Sequence, residues 1–137
     1  MEQDVKRRYH PRMRPLLHPA IEDITVEGIL HALSDPVRAA IYAELAVSEG
    51  ATCSNFLKVS DRDVPKSTLS QHFRALREAG LVRSERQGVE MRNSTRCAEI
   101  EQRFPGLMSA IMGAYQLQAA VRRRVLRRSQ TGARGAR

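Results

Sequence analysis

A mainly α-helical fold with one small β-hairpin is what this sequence predicts. Three observations carry that reading. Apolar residues recur at helical spacing through most of the chain, as in Leu69, Phe73 and Leu76 at i, i+4 and i+7. The period changes after Gly80, where two short extended runs flank a glycine. Start and stop signals punctuate the rest, with Asp35-Pro36 opening one helix and Gly80 closing another. The 137 residues include no Trp, three Tyr and three Phe, so one domain with a modest aliphatic core is expected. Its boundaries read as a flexible basic arm over 1–20, one folded domain over 21–120, and a basic tail over 121–137.

The elements follow in order. In residues 1–20, Pro11, Pro15 and Pro19 interrupt any helix while Lys6, Arg7, Arg8, Arg12 and Arg14 supply charge. Disorder is expected there, with a subunit-clasping or DNA-tracking arm as the functional alternative. A short helix runs from about Thr25 to Leu33 on the stripe Val26, Ile29, Leu30 and Leu33, with His31 beside it. Asp35 can cap the next helix and Pro36 fits its first turn, where no N–H is required. That helix turns Val37, Ala40, Ile41 and Leu45 inward. Thr52 can cap a further helix from Cys53 to about Val59, burying Phe56 and Leu57, and a polar loop then runs from Ser60 to Pro65.

The next helix is the one the others serve. With Leu69, Phe73 and Leu76 inside, Lys66, Ser70, Gln71, Arg74 and Arg77 look outward, a face that is basic and amide-rich. Ser67 or a neighbour caps its start. Hydroxyls and amides near a helix N-terminus reach base edges in a DNA major groove while arginines hold phosphates. A short helix before it, joined by a turn, completes a helix-turn-helix. After Gly80, the runs Leu81–Arg86 and Val89–Ser94 around Gln87-Gly88 form a two-stranded wing, made basic by Arg83, Arg86, Arg92 and Arg96. Helical spacing returns from Ala98, breaks at Pro105, and continues through Leu107, Met108, Ile111, Met112 and Tyr115 towards Arg128. This is more apolar surface than a small winged domain covers, so a partner subunit is expected on it. Arg122 to Arg137 reads as a frayed end that adds nonspecific attraction to phosphate.

The net charge of +8 is unevenly placed. Residues 121–137 hold seven Arg and no acid, whereas 21–60 carry six acids against two basic residues. A polyanion-facing side and an opposite side follow. The N-terminal residues show no apolar secretory segment and no run approaches the roughly 20 residues of a membrane span, so a cytoplasmic protein with free thiols at Cys53 and Cys97 is expected. A phosphate-binding glycine loop, a nucleophile elbow and an HExxH motif are all missing from the sequence, so no enzyme activity and no cofactor are expected. Six Phe and Tyr, mostly at core-like positions, offer little for stacking RNA bases.

Three segments resemble ArsR-type winged helix-turn-helix regulators: LHALSDPVRAAIYAEL (Leu30 to Leu45), STLSQHFRALREAGLVRSERQG (Ser67 to Gly88) and RFPGLMSAI (Arg103 to Ile111). The likeness extends over about Ile24 to Ala114. It implies a homodimeric repressor that binds double-stranded DNA at an inverted-repeat operator and leaves it when an inducer, here unidentified, acts. By position, Lys66, Ser67, Thr68, Ser70, Gln71 and His72 would face the groove, with Arg74 on phosphate and the wing tip, Arg86 and Gln87 to Val89, touching DNA. The sequence departs from the family's metal sites. The paired-cysteine box reads Thr52-Cys53-Ser54-Asn55, with one thiol, and residues 98–128 contain no His and no Asp, so no metal site is expected. Some relatives respond to thiol oxidation, which makes Cys53 and Cys97 a candidate redox pair. A charge-driven nonspecific nucleic-acid binder is the other alternative.

Overall fold

A computed structural model describes residues 16–48, 58, 59 and 62–135. After one 3-10 turn (Ile21–Asp23), the elements are α1 (Val26–Leu33), α2 (Pro36–Val47), β1 (Lys58–Val59), β2 (Arg62–Asp63), α3 (Lys66–Glu78), β3 (Val82–Gln87), β4 (Glu90–Thr95), α4 (Cys97–Arg103) and α5 (Leu107–Gly135). The fold is therefore mainly helical with a small antiparallel hairpin, as the periodicities predict.

The first helices begin where their side chains satisfy free amides. Thr25 Oγ1 accepts from the Gly28 amide at 3.0 Å, and Asp35 Oδ1 accepts from Val37 and Arg38 at 2.8 and 3.1 Å. Burial alone would raise the Asp35 carboxyl, but those two amides, aided by His72 and Arg38, hold it below its usual value. Helix α1 turns Ile29 and Ala32 inward, and α2 adds Ala39, Ala40, Ile41, Tyr42 and Leu45. Leu30, expected in the stripe of α1, is instead 52% exposed. On the far side of the core lie Leu69, Phe73 and Leu76 of α3, closed over by Leu81, Val82, Ile100 and Met108. Each of these buried aliphatic side chains contributes roughly 1.5–3 kcal/mol.

Helix α3 ends in a double turn. Gly80 donates to the Arg77 carbonyl and Leu81 to the Leu76 carbonyl, both at 3.0 Å, and Gly80 holds φ +82°. The chain leaves directly into β3, which pairs with β4 from Val82↔Thr95 to Gln87↔Glu90. The turn residues are thus Gly88 and Val89, one position later than Gln87-Gly88, because Gln87 is still paired. Gly88, at φ +64°, supplies the positive angle that a two-residue hairpin needs at its first turn position.

Other expectations need correction. The predicted helix from Cys53, with Phe56 and Leu57, lies outside the described residues, but its end does not hold: Lys58–Val59 pairs antiparallel with Arg62–Asp63. These residues satisfy their backbone across a ladder instead of along a helix. Arg122 onward does not fray, since α5 continues to Gly135. Ala, Leu, Gln and Arg are good helix formers and no proline intervenes. Lastly, the arm is not loose to residue 20. Leu16 to Ala20 lies against the base of the wing, while residues 1–15 fall outside the described part.

Candidate nucleic-acid interface

Helix α3 and the wing present one set of side chains outward. Lys66, Ser67, Ser70, Gln71 and Arg74 are exposed, while Thr68 and His72 are half-buried at the edge of the same surface. The buried row Leu69, Phe73 and Leu76 fixes this orientation, because a helix anchored on one face must offer the other to solvent. No side chain caps α3; Pro65 stands at its cap position, contrary to the expectation for Ser67. Its first amides lead an uncapped turn, a place where anionic oxygens are favoured.

Several of these groups already have local partners. Ser70 Oγ donates to the Lys66 carbonyl at 3.1 Å, leaving its lone pairs for an incoming donor. Arg74 pairs with Glu78 across one turn at 3.0 Å, an exposed contact that phosphate can readily replace. Gln71 is exposed, and its amide can make the two-pronged contact that an adenine edge accepts. At the wing, Arg86, Gln87 and Val89 are exposed, with Val89 at the extreme tip.

The arginines divide otherwise than the sequence suggests. Arg77, predicted to look outward, is half-buried and donates to Ser84 Oγ at 3.3 Å. Arg96, predicted to make the wing basic, is only 5% exposed; its guanidinium binds Glu99 and donates to the Pro19 carbonyl at 2.7 Å. Arg83 reaches the same Glu99 at 3.3 Å. Glu99 is held below the usual carboxylate range, first by its hydrogen bond from Arg96, which with the charges of both arginines outweighs the opposing effect of burial. These three arginines brace the joint between α3, the wing and α4. Arg86 and Arg92 remain exposed on the wing, Arg92 within 3.9 Å of Glu90.

That brace centres on a buried polar pair. Ser84 and Asn93, opposite each other in the wing, are both buried, and Ser84 Oγ donates to Asn93 Oδ1 at 2.6 Å. The Ser84 amide donates to His18 Nε2 at 3.0 Å, so the segment before α1 is part of the joint. No sequence signal marks Ser84 and Asn93 as buried, because polar side chains on a wing strand are ordinarily solvent-facing.

Cys97 opens α4, half-buried, and sits near the Tyr42 hydroxyl, whose own acidity is weakened first by burial and then by the thiol. Cys53 lies outside the described residues. Among the described residues no three His, Cys, Asp or Glu side chains gather as a metal site. Nor is any described helix long and apolar enough to cross a membrane.

The second face of α5 completes the picture. Met108, Ile111, Met112 and Tyr115 pack on the core, whereas Ala110, Ala114, Leu117, Val121 and Val125 form an exposed line at spacings of three and four. Leu117 is 72% exposed. Beside that line Arg122, Arg123, Arg124, Arg127 and Arg128 are all exposed, and no acidic residue follows Glu101 in the sequence.

Comparison with known proteins agrees with this geometry. A family model described as a helix-turn-helix domain matches residues 33–85. Among solved structures, Rv0081 of M. tuberculosis is 29% identical, over 72% of this chain and 90% of that chain, with a TM-score of 0.50. An ArsR-like transcriptional regulator from Rhodococcus sp. RHA1 is 26% identical over 71% and 89% of the two chains, with a TM-score of 0.49. An ArsR family transcriptional regulator is 21% identical over 75% and 97%, also at 0.49. No match was found among curated proteins. The chain thus contains a helix-turn-helix domain, which the β3–β4 hairpin follows as a wing.

Proposed function

We propose that this chain, a winged helix-turn-helix protein of ArsR type, is a transcriptional regulator that binds operator DNA as a homodimer. The observation that carries the reading is the row of exposed polar and basic side chains along α3, with Arg86 and Gln87 exposed on the wing that follows it. Lys66, Ser67, Thr68, Ser70, Gln71 and His72 enter the major groove, Arg74 holds phosphate, and Arg86 and Gln87 contact the backbone or minor groove beside it. Each subunit reads one half of an inverted repeat. Repression, relieved by an inducer, is the mode of action that the ArsR likeness favours, and Cys53 and Cys97 are not needed for it.

The test is fluorescence anisotropy on the duplex upstream of the protein's own gene and on a shuffled duplex, at near-physiological salt with reductant. Gln71→Ala is expected to lose about 1–3 kcal/mol on the upstream duplex and little on the shuffled one. Arg74→Ala is expected to weaken both alike. Equal losses from Gln71→Ala on the two duplexes would mean that α3 does not read bases.

Support for the dimer lies in the exposed line of α5. Unpartnered apolar rows of this length are the usual seam between subunits. Leu117→Glu is expected to cost self-association about 3 kcal/mol or more, counting both copies, and to give a monomer in sedimentation velocity at micromolar concentration. A dimer of undiminished affinity would place the seam elsewhere. The acid-free arginines of α5 favour one further reading, an added sequence-independent affinity for nucleic acid, which the shuffled duplex measures directly.

A further inference from the structure

We propose that His18 is a proton-sensitive latch: as a neutral imidazole it fastens Leu16–Ala20 to the first strand of the wing, and a proton on its ring unfastens that segment.

The fastening is a single directional bond in a crowded place. Ser84 N–H donates to His18 Nε2 at 3.0 Å, and only an unprotonated Nε2 can accept it. Its neighbour in the chain is held as well, since the Pro19 carbonyl accepts from Arg96 at 2.7 Å. Charged groups converge on the ring from every packed element: Arg77 from α3, Arg83 from β3 and Arg96 from the start of α4. The carboxylate nearest this group, Glu99 of α4, is already shared between Arg83 and Arg96. A protonated His18 would be a fourth cation beside three and would turn an N–H towards the N–H of Ser84.

Burial first, then Arg83, Arg96 and Arg77, depress the affinity of the docked ring for protons, against a weaker pull from a backbone hydrogen bond at Leu16. The undocked ring titrates near the ordinary histidine value of about 6.5. Because the free segment binds the proton better, docking is unpenalised above that pH and weakens as pH falls below it. At one pH unit below, the docking equilibrium is expected to fall by up to about tenfold.

Where the latch sits gives it a consequence. Pro19 lies over Gly80, in the turn that ends α3, and a Cβ built there would come within 3.4 Å of the Pro19 ring. His18 holds β3, and Arg96 ties Pro19 to the end of the hairpin. One five-residue segment therefore braces the helix proposed to read bases against the wing proposed to flank it, so release of the segment loosens their relative angle. This last step rests on the DNA-binding reading; the latch itself does not.

Amide hydrogen exchange followed by NMR on the unliganded full chain tests the latch. After correction for intrinsic exchange, protection of the Ser84 amide is expected to drop by up to about tenfold between pH 7.5 and 5.5 while core amides such as Phe73 hold. In His18→Gln, whose amide oxygen accepts without titrating, that pH dependence should vanish. Constant protection in the unmutated chain, or an equal drop in His18→Gln, would overturn the proposal. The unmutated chain alone decides the first of these, whatever the folding of the variant. Anisotropy on the upstream duplex at both pH values then separates the two ideas. Sequence preference at pH 7.5 tests DNA reading by itself, and a fall at pH 5.5 that is absent in His18→Gln tests its coupling to the latch.

Discussion

Gly80→Ala is expected to destabilise the protein by about 2–5 kcal/mol, the largest effect of a methyl group added at any of its described glycines. Two costs combine. The residue holds φ +82°, where an L side chain costs about 1–2 kcal/mol. A Cβ would also stand 2.5 and 2.6 Å from Cγ1 and Cδ1 of Ile24, a core residue only 1% exposed, so the side chain has nowhere to retreat. Urea unfolding followed by circular dichroism reads the loss as a lower midpoint at unchanged slope. A loss below about 1 kcal/mol would mean that Ile24 and Pro19 shift aside. The double turn that ends α3 would then be soft, and the angle between α3 and the wing with it.

The second large effect is expected at Arg96. Arg96→Met keeps the aliphatic stem but strips the guanidinium from Glu99 and from the Pro19 carbonyl, and should cost about 2–3 kcal/mol. The upper end for a broken buried pair does not apply, because Glu99 is half-exposed and keeps Arg83. Adding Glu99→Gln should recover part of the loss, whereas Arg96→Lys should not restore it, since one ammonium cannot serve two acceptors in the geometry of a planar fork. Thermal unfolding of the unmutated chain, Arg96→Met, Glu99→Gln, their double variant and Arg96→Lys measures this, the first four closing the cycle. A single-variant loss within a few tenths of a kcal/mol would return Arg96 to the wing's solvent-facing charge, as the sequence alone suggests.

Those two residues mark where the sequence was legible and where it was not. Gly80 announced itself, because a glycine after a helical stripe and before an extended run has few other reasons to be there. Asp35-Pro36 was readable for the same cause: caps are local, and their partners lie within three residues. The buried face of α3 followed from its spacing, and with it the outward row from Lys66 to Arg74. The arginines were not readable. Whether Arg77, Arg83 and Arg96 turn to solvent or to the interior depends on Ser84, Glu99 and Pro19, and the last of these is 77 residues from Arg96. The one-position shift of the wing turn is a register choice that an unpaired strand does not reveal. The run of α5 to Gly135 was hidden by charge, which resembles a disordered tail when counted and a helix when its formers are weighed.

Those long separations also order events in time. During synthesis Leu16–Ala20 leaves the ribosome well before Ser84 and Arg96 exist to receive it. It must wait, unpaired, until a hairpin made some sixty-six to seventy-seven residues later has closed. Loops of that length close late, because their entropy is repaid only by contacts that other elements must first assemble. The segment is therefore expected to be the last piece placed as the chain matures and the first to lift when it opens. A protease that samples the native protein should find its earliest cut there.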